Sequence, residues 1–373
     1  SIDYNDLVNR YDLSLDGRYD GLFHTKLVIG HLQDIIKPGP RDTVRATIEY
    51  RRNQMTQKPD LSGRAGYDVY SGGMMWDHHF SDAVTANLAG RIEHVNLGQS
   101  GAIDPLIPFT GTDFDRDFTA WSANAGLVIK PDSLSAVRIQ VARGVQIPSL
   151  IAFGVALRAP IVPGVFAGFV GNPGLNPTVA ESGEIGFSRS FGADTSFNIT
   201  AFYSRATNIL TLDQSPPTPL PGLGLLIQAI FNAGGHSESY GVESTLKGMI
   251  GQRLNWQIDY TYNAIAQAFA PSLPETNQPF RDLTPRHKVG ARLGYDDGRF
   301  TIDGRALLRS HVIFPLNGRE SGWTLGLDAH AGWTLTSHMQ LFATAENLTG
   351  AHYIDNGRLR QDVRGRIGMG LGF

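Results

Sequence analysis

A chain of 373 residues with a net charge of −3 and no cysteine can carry neither a disulfide framework nor a cysteine-ligated metal centre. Its balanced charge, with no basic run or stripe, argues against nucleic acid as a partner. Hydrophobic residues make up 41% and mean hydropathy is −0.16, too polar for a bundle of membrane helices that each need about 20 largely apolar residues.

The chain opens at Ser1 with no initiator Met and no apolar leader, which predicts either a removed signal peptide or a fragment. The first clear element is a period of two: Val44, Ala46, Ile48 and Tyr50 alternate with Arg45, Thr47, Glu49 and Arg51. Such alternation gives a strand one apolar and one polar face. The cleanest case sets Leu254, Trp256, Ile258, Tyr260 and Tyr262 against Asn255, Gln257, Asp259, Thr261 and Asn263. Phe300 to Arg309 and Trp323 to Thr334 repeat it, the latter with a Trp near each end for the two membrane interfaces. The last stretch, Gly365 to Phe373, alternates Ile367, Met369, Leu371 and Phe373 with Arg366 and glycines.

Connections alternate in length. Short ones fall near Ser81, Pro131, Gly192, Gly251, Asp297 and Ser337; long ones near Lys58, Gly98 to Asp115, Gln146 to Pro177, Asp213 to Gly235, Phe269 to Pro285 and Pro315. The pattern predicts an all-β fold, a transmembrane antiparallel up-and-down β-barrel of about 16 strands, with short periplasmic turns and long outer loops. Residues 1–373 form one barrel domain in this reading, without internal repeat or linker, and outer-membrane lipid is its surroundings. Ile147 to Gly171 is apolar enough to suggest a membrane helix, but it carries Pro148, Pro160 and Pro163 and four glycines. Proline costs a helix about 3 kcal/mol, so the segment reads as a long apolar loop.

Several motifs run in a fixed order: Arg143 to Leu150 (RGVQIPSL), Gly171 to Pro177 (GNPGLNP), Glu181 to Gly186 (ESGEIG), Tyr240 to Glu243 (YGVE), Thr284 to His287 (TPRH), and Glu346 to Leu348 with Tyr353. Their order and spacing resemble the C-terminal barrel of TonB-dependent outer-membrane receptors of the siderophore type. Most are turn formers and strand starts, so their reading is architectural. The resemblance implies a barrel of about 22 strands, a plug domain, a TonB complex as partner, and import of a scarce small molecule, most often a ferric siderophore. No plug is recognisable, which suggests an N-terminally truncated receptor of a Gram-negative outer membrane.

The alternation sends Arg45, Glu49, Arg91, Glu93, Arg138, Glu243, Lys247, Asp259, Arg292, Asp303, Arg305, Arg309, Asp328 and Arg366 to the lumen, as a paired, solvated lining or as contacts to a plug. His78 and His79 face opposite ways and cannot share one ion; no metal and no cofactor is expected. Ligand contacts are sought in the outer loops. Phe153, Phe166 and Phe169 either pack over the mouth or wall an apolar part of a ligand, Arg116, Arg158 and Arg319 suit an anionic one, and His236, His311 and His352 lie at outer strand ends. No catalytic constellation is present in the sequence, so no enzyme is expected. Two functions compete: a TonB-dependent receptor that imports a nutrient, and a passive plugless channel in which Gln146 to Pro177 folds inward as a constriction.

Overall fold

The computed structural model describes residues 1–12, 20–58, 63–104, 107–192, 194–214, 218–220, 224–269, 280–314, 319–350, 354–355, 359–360 and 362–371. Phe373, which ends the terminal alternation, lies outside them.

Among the described residues, alternating β-branched and aromatic residues between Gly- and Asp-rich turns fold into one sheet of nineteen strands. Three of these are short strands in the outer loops; the other sixteen form the wall, as the alternation predicts. They are β1 (Ile2–Asp12), β2 (Asp20–Gly39), β3 (Asp42–Lys58), β4 (Arg64–Ser81), β5 (Val84–Ser100), β6 (Arg116–Asp132), β7 (Ser135–Gln146) and β8 (Thr178–Phe191). The second half comprises β9 (Thr195–Gln214), β10 (Gly224–Ile250), β11 (Leu254–Ala268), β12 (His287–Asp296), β13 (Phe300–Arg309), β14 (Thr324–Thr336), β15 (Met339–Glu346) and β16 (Arg364–Leu371). Each wall strand pairs antiparallel with the next, including β7 with β8 across the long insertion. Among the described residues β1 pairs with β2 and β16 with β15.

The short connections all lie at one end. The turn between β12 and β13 shows how sequence sets one: Asp297 Oδ1 accepts from the backbone N–H of Arg299 (2.9 Å) and Phe300 (2.7 Å), and Gly298 takes the positive φ of 83° that follows. These bonds hold the Asp297 carboxyl below its usual range, the Phe300 amide contributing most.

Pairing register carries every lumenal charge named above onto one face of the sheet, as the alternation predicts. The opposite face is apolar, with Ile48, Ile92, Ile185, Ile258, Ile302 and Leu293 exposed along it. Aromatic rings band the outer face at both ends. Phe300 stacks on Trp333 (5.7 Å) near the short turns; near the long loops His287 lies between Tyr260, Tyr262 and Trp323. His78 sits in the first band, 2.7 Å from Asp42 and edge-on to Phe80, while His79 meets Thr85.

One connection differs from its sequence reading. Asp213 to Gly235 reads as loop, yet β9 and β10 continue through most of it as a paired ribbon. At 27 residues β10 is far longer than the roughly 9–11 that cross a membrane, so the ribbon stands beyond the wall. It begins at a bulge where Asn208 adopts φ 54°; there Asn208 Nδ2 donates to Pro177 O (3.0 Å) and Thr178 Oγ1 to Asn208 O (2.8 Å). No helix among the described residues is long and apolar enough to cross a membrane.

Candidate functional site

The segment read as an apolar loop, Ile147 to Gly171, turns into the mouth and packs there. Ser149 caps a single helical turn, Leu150–Gly154, by accepting from the Ala152 N–H. This helix, α1, buries Leu150, Ala152 and Phe153 in one cluster with Met55, Ala65, Tyr67, Val69, Val95, Leu97, Phe114 and Leu175. Phe153 is fully buried and meets Tyr67 edge-on, with centroids 6.4 Å apart. Two glycines allow the approach: a Cβ on Gly154 would lie 2.7 Å from that of Ala65, and one on Gly171 would lie 2.5 Å from the Gly154 nitrogen.

Polar clamps fix the segment on either side of α1. The Gln57 side chain, buried on β3, accepts from Ala156 N–H (3.0 Å) and donates to Ala156 O, pairing with the loop as a strand would. Gly171 N–H donates to Val155 O (2.6 Å) and Asn172 N–H to Ala152 O (2.8 Å), while Asn172 Nδ2 reaches Phe231 O on β10 (3.0 Å). Arg116 closes the far end by donating to Pro173 O (3.0 Å), Leu175 O (2.8 Å) and Asn176 Oδ1 (2.8 Å). Beside it Asp113 accepts from the backbone N–H of Thr110 (2.6 Å) and its hydroxyl (2.8 Å), which lowers its pKa. The RGVQIPSL and GNPGLNP motifs are thus the two stems of an inward-folded loop.

Beyond α1 the chain forms a hairpin, Ala156–Val162 with Val165–Val170, whose second strand runs parallel to Leu225–Ile230 of β10. Phe169 meets Phe231 edge-on at 5.2 Å, and Phe166, half-buried, is in register with Leu226. An apolar sheet therefore stands over this side of the mouth.

Among the described residues, the sequence-predicted ligand residues do not form one cluster. Phe153 is core and Arg116 is a structural clamp. Phe166 and Phe169 belong to the outer sheet. His236 is exposed on β10, and His311 is exposed with Nε2 4.0 Å from Glu320. The side chains of Arg158 and Arg319, and all of His352, lie outside the described residues. Among the described residues no group of three or more metal-binding side chains forms.

Sequence reading missed Gln57, Tyr67 and Asn172. A signal for the first two exists: at the outer ends of β3 to β5 the alternation inverts, with Met55, Tyr67, Val69, Val95 and Leu97 inside and Gln54, Asp68 and Asn96 outside. An apolar inner face requires a cover. Deeper in the lumen charges pair instead. Arg91 bridges Glu49 and Glu93, each at 3.0 Å, Arg292 meets Asp303 at 2.7 Å, and Asp259 accepts from Thr245 and Gln257.

An up-and-down wall with apolar exterior, charged lumen, long loops at one end and one loop folded inward defines a receptor-type barrel. The chain belongs to the family described as TonB dependent receptor-like, beta-barrel, whose model matches residues 1–348, and this is a family of outer-membrane receptors. Similar solved structures include a point mutant of the ferric enterobactin receptor PfeA of Pseudomonas aeruginosa (13% identity, 94% of this chain and 53% of that one, TM-score 0.67). The siderophore receptor PirA of the same organism gives 14%, 95%, 57% and 0.66, and the FrpB iron transporter of Neisseria meningitidis gives 11%, 99%, 59% and 0.70. The chain thus spans a little over half the length of these structures. No similar sequence is found among curated proteins.

Proposed function

We propose that the chain is the ligand-receiving barrel of an outer-membrane transporter that imports a ferric siderophore, with energy delivered by a TonB complex through a plug domain. The family match over residues 1–348 carries this reading. The named functions of similar barrels, ferric enterobactin and siderophore receptors and an iron transporter, support iron as cargo. The mouth suits such a ligand: Phe166, Phe169 and the β9–β10 ribbon offer an apolar aromatic surface, and His236 on β10 and His311 after β13 are both exposed. Arg116 and Phe153 then act indirectly, by holding the loop that carries this sheet.

The channel reading also expects Gln146 to Pro177 to fold inward, and it does. Its inner contacts are apolar and directed at the wall, however, and its sequence carries a single charged residue, Arg158. Uptake of radioactive iron by iron-starved cells separates the two. With the full-length receptor as the sole iron receptor, one or a few ferric siderophores support uptake, and deletion of TonB abolishes it. Uptake that persists without TonB, together with steady conductance in planar bilayers, would establish the channel.

A further inference from the structure

The outer face of the wall carries a groove of about 620 Å³ that neither the mouth nor the lumen uses. Its floor is Gly90 on β5 with Ala123 and Ala125 on β6, Gly90 and Ala123 being in register. Met74 and Trp76 of β4 and Val141 of β7 flank it. The fold does not demand the glycine: a Cβ on Gly90 would meet nothing within 4 Å. The missing side chain serves only to leave the groove open, on a face that elsewhere carries Ile and Leu.

Both ends of the groove are marked by tryptophan, the residue of membrane interfaces. At the end near the short turns Trp76 Nε1 donates to Asp42 Oδ1 (2.9 Å). At the end near the long loops Trp121 is half exposed, and the Arg143 guanidinium lies 3.9 Å from its ring centroid. Arg143 also donates to Trp121 O and approaches Glu181 Oε1 at 3.8 Å, a loose pair with Glu181 half exposed. The apolar trough thus ends, at its outer rim, in a cation held on an aromatic face, its side chain 23% exposed.

We propose that this groove retains one anionic lipid of the outer leaflet, an acyl chain lying over Gly90 and Ala123 and the headgroup phosphate on Arg143. Trp76 is in register, through Leu88, with Ala125, four residues along β6 from Trp121, so a chain can run along the strands between the two rings, and a planar guanidinium matches phosphate geometry. The proposal rests on the wall being membrane-spanning, and it is independent of what the mouth binds.

Native mass spectrometry of the full-length receptor in mild detergent tests it, with phosphatidylglycerol and phosphatidylcholine of identical chains as probes. One phosphatidylglycerol is expected to remain bound at concentrations where phosphatidylcholine does not. Gly90→Leu, which fills the groove, weakens both lipids by about ten-fold, the effect of excluding about two methylenes. Arg143→Gln removes only the preference for phosphatidylglycerol. Gly72→Leu is the control: Gly72 lies on the same face outside the groove lining, and its Cβ also meets open space, so this variant binds as the parent does and shows that the wall tolerates the change. Undiminished binding by folded Gly90→Leu, or an equal loss in Gly72→Leu, overturns the proposal.

Discussion

The inner faces of β3–β5 and of β11–β14 are built on the same period of two and differ in character. On β11 to β14 inward positions carry Asp259, Arg292, Asp303, Arg305 and Asp328, and the outward ones face lipid in our reading. At the outer ends of β3 to β5 the inward positions are Met55, Tyr67, Val69, Val95 and Leu97, and they are buried by the chain's own loop. Alternation reports only that two faces differ. The identity of the covering medium (lipid, water or loop) decides which face is apolar at each height.

If the two regions differ as described, substitutions in the first should be costly and those in the second mild. The largest effect is expected for Phe153→Ala. Truncating a buried Phe costs about 3–5 kcal/mol, here felt as release of the mouth loop; limited proteolysis should then cut between Gln146 and Pro177 while the wall resists. Arg116→Ala follows, because three carbonyl acceptors lose a charged donor. The exposed part of that site reduces the loss to about 2 kcal/mol, read as a lower thermal midpoint with faster amide exchange from Gly171 to Asn176. Gln57→Leu leaves the Ala156 N–H and C=O buried without their partner and should cost about 1–3 kcal/mol; unchanged protection of the Ala156 amide would show that the clamp is dispensable. Arg292→Ala, in the charged region, breaks a largely exposed pair and should shift stability by less than about 1 kcal/mol. A loss as large as that of Phe153→Ala would erase the distinction between the regions.

The smallest effect belongs to the turn at Asp297. Its folded pKa is lowered, so its contribution is present above the unfolded carboxylate value of about 3.9 and is lost as pH falls through the lower folded value. Asp297→Ala should remove that acid-side change, seen as a Phe300 amide whose protection no longer falls on acidification.

Much of the architecture was legible in residues whose neighbours along the chain determine them. Gly192, Gly251 and Asp297 mark turns because turn geometry is local, and the lumenal charges follow from parity once a strand is recognised. Partners distant in sequence were not legible. The apolar run from Gly224 to Ala233 reads as loop because its alternation is hidden by a parallel neighbour, Val165–Val170, about 60 residues away. Arg116 resembles an anion-binding loop arginine until three acceptors from the GNPGLNP segment are placed around it. The prolines of Ile147 to Gly171 correctly exclude a membrane helix, but the inward docking is written on β3 to β5, in the inverted alternation, and not in the loop.

Hydrogen exchange of residues 150–176 in the membrane-reconstituted protein tests the account most directly. The account predicts that the amides of Phe153, Ala156, Gly171 and Asn172 are protected to a degree comparable with the wall strands, and that added ferric siderophore slows exchange in Val165–Val170 and the β9–β10 ribbon. Exchange of these four amides at the rate of an open loop would contradict it, because the mouth would then have no fixed sheet with which to receive a ligand.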